Sequence, residues 1–272
     1  MLPFLSLLNG PHKINAVVMN EPALQTNKLD VVVAEQASVK TVAFQNNINI
    51  ILLTSSFRAI ITELEKTPFD LIITSCFARK IPTELLVLAR LGAVNLHPSM
   101  LPAYRGPDPL FWQLLDGVDN SGMTLHLMNS RFDDGAIVIQ RGIPLQDDST
   151  LAGLQDILGQ TGAEILTEFL EDIDNKIEQA WCQSKNRVSY HSRPKLRDYA
   201  VSDQWPASRL FNFVRATLGR IPYYPITIKG NTYKLVDVLS YHPSIQRKLS
   251  ISDNKICFSC HSGSVCAELL TD

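Results

Sequence analysis

The 272-residue chain is 45% apolar and 19% charged, with a net charge of −2. That is the balance of a soluble globular protein with one large domain or two unequal ones. No apolar run reaches the 18 or so residues of a membrane span, which argues against an integral helical membrane protein and against a membrane partner. Five thinly spread cysteines (Cys76, Cys182, Cys257, Cys260, Cys266) are odd in number, which fits a reducing, cytoplasmic setting better than a disulfide framework.

The opening stretch "MLPFLSLLNG" is apolar but short. It has no basic region before it and no small-residue cleavage site after it, so it reads as part of a helix rather than a signal peptide. "INAVVM" (14–19), "INIILL" (48–53) and "DLIITS" (70–75) are near-continuous apolar runs, as expected of strands buried on both faces. Between them "SVKTVAFQNN" and "SFRAIITELEK" have helical spacing, with Ser55 or Ser56 able to cap the second. "PTELLVLAR" starts with Pro82, a residue suited to a first helical turn. Strand "GAVN" runs into a loop holding Pro98, Pro102, Pro107 and Pro109, and helix "PLFWQLLDG" follows. Strands "MTLHLM" (123–128) and "AIVIQRGI" (136–143) precede a long helix from about Leu151 to Asp172. This alternation predicts an α/β domain with a mainly parallel, Rossmann-like sheet and helices on both faces. Chemistry in such sheets sits at the carboxyl ends of the strands, where Asn95–Ser99 and "SCFARK" fall; the turn "RFDDG" can close the same cleft.

The texture changes near residue 185. The polar, turn-rich stretch 185–204 reads as a linker between a domain over 1–184 and a smaller one over 205–272. The latter holds helix "PASRLFNFVRAT" and short strands "YPITIKG", "TYKLVDVLSYH", "KICFSCH" and "SVCAELL", which predict a small β barrel. From Lys185 onward there are 13 basic and 6 acidic side chains, net +7, against −9 for the remainder. The split suggests an anionic partner, nucleic acid among them, or a solvated surface with a mild bias. "CFSCH" has the spacing of a c-type haem attachment, but it also alternates as a strand: Ile256, Phe258 and Cys260 on one face, Cys257 and Ser259 on the other.

Asn95, His97 and Asp133 form the sharper constellation. A histidine one step beyond a buried strand presents its imidazole in a cleft, and the asparagine two residues back points the same way. Asn offers a neutral donor, His a proton near neutral pH, and a carboxylate from another loop orients the His. The set suits attack on a carbonyl, with the oxyanion held by Asn and His. On spacing alone a lone loop histidine is more often structural than catalytic, and composition and periodicity go no further.

"NLHPSMLPAYRG", followed by "GMTLHLM" and "RFDDGAIV", resembles the folate-dependent formyltransferase family. The resemblance implies 10-formyltetrahydrofolate as co-substrate, no metal, and Asn95, His97 and Asp133 as the catalytic residues. Asp134 is the alternative to Asp133, and His126 falls in the family's T-x-H position. "CFARKI" looks like the family's folate-pocket segment, which puts Phe77, Arg79 and Ile81, with Gly135 of the D-x-G element, near the cofactor; simple packing is the other reading of Phe77 and Ile81. Ser99 and Arg105 would shape the loop and touch the acceptor, the alternative for Arg105 being a hydrogen bond to loop carbonyls. The stretch from "DQWPASRLF" onward is similar to the OB-like C-terminal domain of the branch acting on methionyl-tRNA, which implies initiator methionyl-tRNA as a partner of the basic part.

Two departures stand out. The family's opening strand and its small turn have no counterpart before the first helix. The segment matching the tRNA branch's basic loop, "NEPALQTNKLD" (20–30), has only Lys28 as a base. The resemblance therefore implies formyl transfer to methionyl-tRNA, with three other outcomes kept: a small amine such as a nucleotide-linked amino sugar as acceptor, water as acceptor, or a non-catalytic binding remnant.

Overall fold

The structure is a computed structural model, and it describes residues 1–20, 38–53, 56–77, 79–199 and 201–270. Most of segment 20–30, with its single lysine, and Ser55 lie outside the described residues. The elements run α1 (Leu2–Leu8), β1 (Ala16–Asn20), α2 (Val39–Gln45), β2 (Asn49–Leu53), α3 (Arg58–Leu64), β3 (Ile72–Ser75), α4 (Thr83–Leu86) and β4 (Ala93–His97). They continue with α5 (Pro109–Asp116), β5 (Asn120–Leu127), β6 (Ile137–Pro144), α6 (Leu151–Glu171), α7 (Ile173–Glu178) and α8 (Ala207–Thr217). The last strands are β7 (Tyr224–Ile228), β8 (Asn231–His242), β9 (Ser250–Ser252), β10 (Lys255–Ser259) and β11 (Ser264–Leu269). By contacts the chain divides into two compact units, one of residues 1–105, 123–141 and 158–188, the other of 106–122, 142–157 and 189–272.

Local chemistry accounts for the helix starts. Ser38 caps α2, its Oγ accepting from the Thr41 N–H at 3.1 Å. Before α3, the Ser56 Oγ accepts from the Arg58 N–H at 3.1 Å, while the N-cap itself is Phe57. Pro82 stands at the N-cap of α4, one step earlier than its expected place in the first turn. Pro109 opens α5, and Gly117 ends it in the left-handed region at φ 65°, where a side chain would be strained.

In the first unit β1 pairs with β2 and β3 with β4, both parallel. β4 pairs with β5 antiparallel, so the four-stranded sheet β3-β4-β5-β6 is mixed. The mainly parallel expectation misses that pairing because an apolar run reports burial on both faces and says nothing of strand direction. β1 and β2 form a two-stranded sheet of their own among the described residues. Helices cover both faces of β4. Ala93 joins a core cluster with Ile60 of α3 and Leu85 and Leu86 of α4. Leu96, of opposite parity, faces α6 at Gly162, where an added Cβ would lie 3.7 Å from its Cδ1.

The second unit packs α8 against α5 and a five-stranded antiparallel sheet ordered β7-β8-β11-β10-β9. Phe213 of α8 is fully buried, with its ring edge-on to Phe111, Trp205 and Tyr224. Ile256, Phe258 and Cys260 are buried together, on one face of β10 as the alternation predicts. Cys257 is bonded to Cys266, not left as a thiol beside Cys260. The β10–β11 register sets the two directly opposite with Cα atoms 4.1 Å apart, a pairing that an odd cysteine count does not reveal. No described helix is long and apolar enough to cross a membrane.

Candidate active site

The site is built at the carboxyl end of β4. Parallel pairing aligns Thr74 with Asn95 and Ser75 with Leu96. The "CFARK" segment therefore leaves β3 at the level where β4 delivers His97. On the other side, antiparallel pairing sets His126 of β5 directly across from Asn95, close enough for their side chains to meet.

His97 is 4% exposed. Its Nε2 lies 2.9 Å from the Tyr104 carbonyl oxygen. A carbonyl only accepts, so Nε2 carries a hydrogen, and Nδ1 is the atom free to exchange a proton. Nδ1 faces the Asp133 Oδ1 at 3.6 Å. Burial pushes the His97 pKa below the usual histidine value; Asp133 and the Tyr104 carbonyl oppose that shift. The Asn95 Nδ2 donates to the His126 Nε2 at 3.1 Å and lies 3.4 Å from the same Asp133 Oδ1. His126 is 2% exposed, and its Nδ1 donates to the Leu127 carbonyl at 2.8 Å, which leaves Nε2 as the acceptor for Asn95 in the neutral ring.

The loop after His97 is held from beneath. The buried Thr124 hydroxyl donates to the Ser99 carbonyl at 2.6 Å and accepts from the Leu101 N–H and the Gln140 Nε2. Gln140 also donates to the Leu101 carbonyl at 2.9 Å. Such a saturated buried hydroxyl fixes the loop in one geometry. The Leu101–Pro102 bond is cis, and Tyr104 has φ 58°.

The predicted residues divide into those brought together and those set apart. Asn95, His97 and Asp133 converge, and Asp134 points elsewhere, pairing with Arg105 at 2.5 Å and Arg131 at 2.6 Å. Ser99 has no exposed surface, and its hydroxyl donates to the Ala103 carbonyl at 2.7 Å. Arg105 bonds the Gln183 Oε1 as well as Asp134, rather than loop carbonyls. Ile81 belongs to the core cluster with Ile60, Leu85 and Leu86, the half-buried Phe77 packs against it, and the Arg79 guanidinium lies 5.8 Å over the Phe57 ring. Gly135 leaves no room for a side chain, because an added Cβ would come 2.7 Å from the Leu127 carbonyl carbon. The sequence gives no sign of the parts played by Thr124, Gln140 and Gln183 and marks His126 only by its T-x-H position. Only the β4–β5 register, absent from the sequence, puts His126 on Asn95.

Asn95, His97 and the turn residue Asp133 thus meet at the carboxyl end of β4 in a Rossmann-like α/β frame. The family model described as "Formyl transferase" matches residues 9–170, more than half of the chain, and the chain belongs to that family. The methionyl-tRNA formyltransferase of Staphylococcus aureus (strain JH1) is 30% identical over 175 residues, 64% of this chain and 56% of that protein. The methionyl-tRNA formyltransferase of Synechococcus sp. (strain JA-3-3Ab) is 32% identical over 157 residues, 58% of this chain and 49% of that protein. The chain thus matches about half the length of these curated relatives. Among solved structures, WlaRD, a sugar 3N-formyl transferase crystallised with dTDP and 5-N-formyl-THF, has a TM-score of 0.72 at 20% identity, covering 100% of this chain and 94% of that one. The N-formyltransferase of Helicobacter canadensis, in complex with folinic acid and dTDP-3-aminofucose, has a TM-score of 0.72 at 20% identity, covering 98% and 94%.

Proposed function

We propose that this chain transfers a formyl group from 10-formyltetrahydrofolate to an amine, with methionyl-tRNA as the acceptor. The observation that carries the reading is the meeting of the Asn95 Nδ2 and the His97 Nδ1 at one oxygen of Asp133, within 3.6 Å. The acceptor amine attacks the formyl carbon and forms a new C–N bond. His97 Nδ1 takes the proton that the attacking amine loses, and the Nδ1–H so formed, with the Asn95 amide, holds the oxyanion until that proton passes to the folate nitrogen. Asp133 stabilises the imidazolium. Collapse breaks the bond to the folate nitrogen, which takes up the proton lost by the amine. No metal enters this reading. Phe77, Arg79, Ile81 and Gly135 flank the folate, and Ser99 and Arg105 frame the acceptor side through the loop. The names of the curated relatives support the tRNA acceptor. The net charge of +7 from Lys185 onward supports a nucleic-acid contact there, in a β unit we read as OB-like, in the cytoplasm.

A sugar amine is the second reading, favoured by one observation. The two sugar N-formyltransferase structures extend over at least 98% of this chain, its C-terminal β unit included, whereas the tRNA enzymes match over 58–64%. The test is formyl transfer from 10-formyltetrahydrofolate to charged initiator tRNA, to a dTDP-linked amino sugar, and to no acceptor. Formylmethionyl-tRNA, with binding that weakens steeply as salt rises, is the expected result. A formylated sugar alone replaces the acceptor, folate turnover without acceptor makes the chain a hydrolase, and no folate binding in a folded chain refutes the enzyme.

A further inference from the structure

One polar side chain beside the site has no part in the mechanism above. Gln183 lies 50 residues beyond Asp133 in sequence. It is carried back by a short antiparallel bridge: the Ile137 N–H donates to the Trp181 carbonyl at 2.8 Å, and the Trp181 N–H to the Ile137 carbonyl at 3.0 Å. The Gln183 Nε2 then donates to two backbone carbonyls of the D-x-G turn, those of Asp133 and Gly135, both at 2.8 Å. Its Oε1 accepts from the Arg105 Nε at 3.2 Å and Nη2 at 2.6 Å. The third nitrogen of Arg105 is tied to Asp134 in the same turn.

One amide thus joins the turn that carries Asp133 to the end of the loop that begins at His97. Both of its hydrogens and its oxygen are used. The chemistry is specific to an amide: a carboxylate of the same shape has no hydrogen for the carbonyls, and an ammonium has no acceptor for Arg105. The turn needs such a tie, because Asp133 stands at φ 49°, a backbone region that residues other than glycine adopt at some cost.

We infer that Gln183 is a positioning residue that clamps the Asp133–Gly135 turn to Arg105 and so sets the separation of the Asp133 carboxylate from His97. The inference rests on the reading of Asn95, His97 and Asp133 as the reacting groups. The charged and titratable groups facing His97 are Asp133, His126 and Arg105, and of these Asp133 alone favours the imidazolium. Releasing the turn moves that carboxylate away and leaves only the Tyr104 carbonyl to oppose burial.

The test compares Gln183→Met, which keeps length and removes every hydrogen bond, with Gln183→Glu, which keeps an acceptor for Arg105 and loses both donors. Folding is checked by circular dichroism and melting. kcat and KM for 10-formyltetrahydrofolate are measured, and the His97 ring is titrated by NMR on histidine-labelled protein. For both variants kcat falls on the order of 10²-fold with KM nearly unchanged, as expected when reacting groups shift by about an ångström. In Gln183→Met, which adds no charge, His97 also titrates at lower pH than in the unaltered chain. Wild-type kcat in a folded Gln183→Met, recovery of kcat in Gln183→Glu, or an unmoved His97 titration in Gln183→Met each overturns the clamp. The titration needs no turnover. It decides the clamp where no acceptor is formylated, and so separates its failure from failure of the formyl-transfer reading.

Discussion

Replacing Gly135 with alanine isolates what the D-x-G turn contributes, because the obstacle is steric and no charge changes. An added Cβ meets the Leu127 backbone, 2.7 Å from the carbonyl carbon, where carbon atoms rest at about 3.5–4.0 Å. The Leu127 carbonyl oxygen lies closer still to that Cβ, so the turn must retreat by more than about 1 Å. It cannot do so alone, since the Leu127 N–H donates to the Ala136 carbonyl at 2.8 Å and Gln183 grips the carbonyls of Asp133 and Gly135. Asp133 moves with the turn, away from the His97 Nδ1 that it faces at 3.6 Å. A misplacement of that size costs on the order of 10²-fold in rate, and overpacking of a tight contact costs about 1–3 kcal/mol in stability. The assay is kcat/KM for formyl transfer beside the melting temperature of the same preparation. A fall of about 10²-fold in kcat/KM, in protein that remains folded at the assay temperature, is the expected result. Gly135→Ala with unaltered kcat/KM refutes the reasoning, for it would mean that the position of the turn does not matter to the reaction.

Further outcomes follow from burial and charge. The folded-state pKa of His97 is lowered by burial, so the unfolded chain binds the proton more readily, and stability falls as pH drops below about 6.5 toward the folded value. His97→Gln loses that dependence, which denaturant titrations across this range will register as a shallower pH slope for the variant. Cys76 and Cys182 are exposed, whereas Cys260 is buried and its thiol is pushed up to about 12. Mass spectrometry after brief alkylation at neutral pH is expected to find label on the first two and none on Cys260 until the chain unfolds. Gly153 stands inside α6, and its nearest neighbour for an added Cβ is the Thr150 Oγ1 at 3.5 Å, an ordinary contact. Gly153→Ala is therefore expected to stabilise by about 0.4–1 kcal/mol and to raise the melting temperature by a few degrees, measured by calorimetry.

Local pattern determined a good deal of this protein. Apolar runs and their period marked β1 to β4 and the helices between them, because burial on both faces selects continuous apolar strands and one-sided burial selects helical spacing. Pro109 and Gly117 bounded α5 through backbone preference alone. The adjacency of Asn95 and His97 was legible as well, since residues two apart on a strand share a face. Tertiary structure decided what depends on register and on distant partners. The antiparallel β4–β5 ladder puts His126 on Asn95. The β10–β11 pairing sets Cys257 against Cys266. The turn at 133–135 sends Asp133 toward His97 and leaves Asp134 to Arg105 and Arg131. None of these is written in a window of sequence: two neighbouring aspartates differ only in where the folded backbone aims them, in a turn whose carbonyls accept from Gln183, 50 residues away.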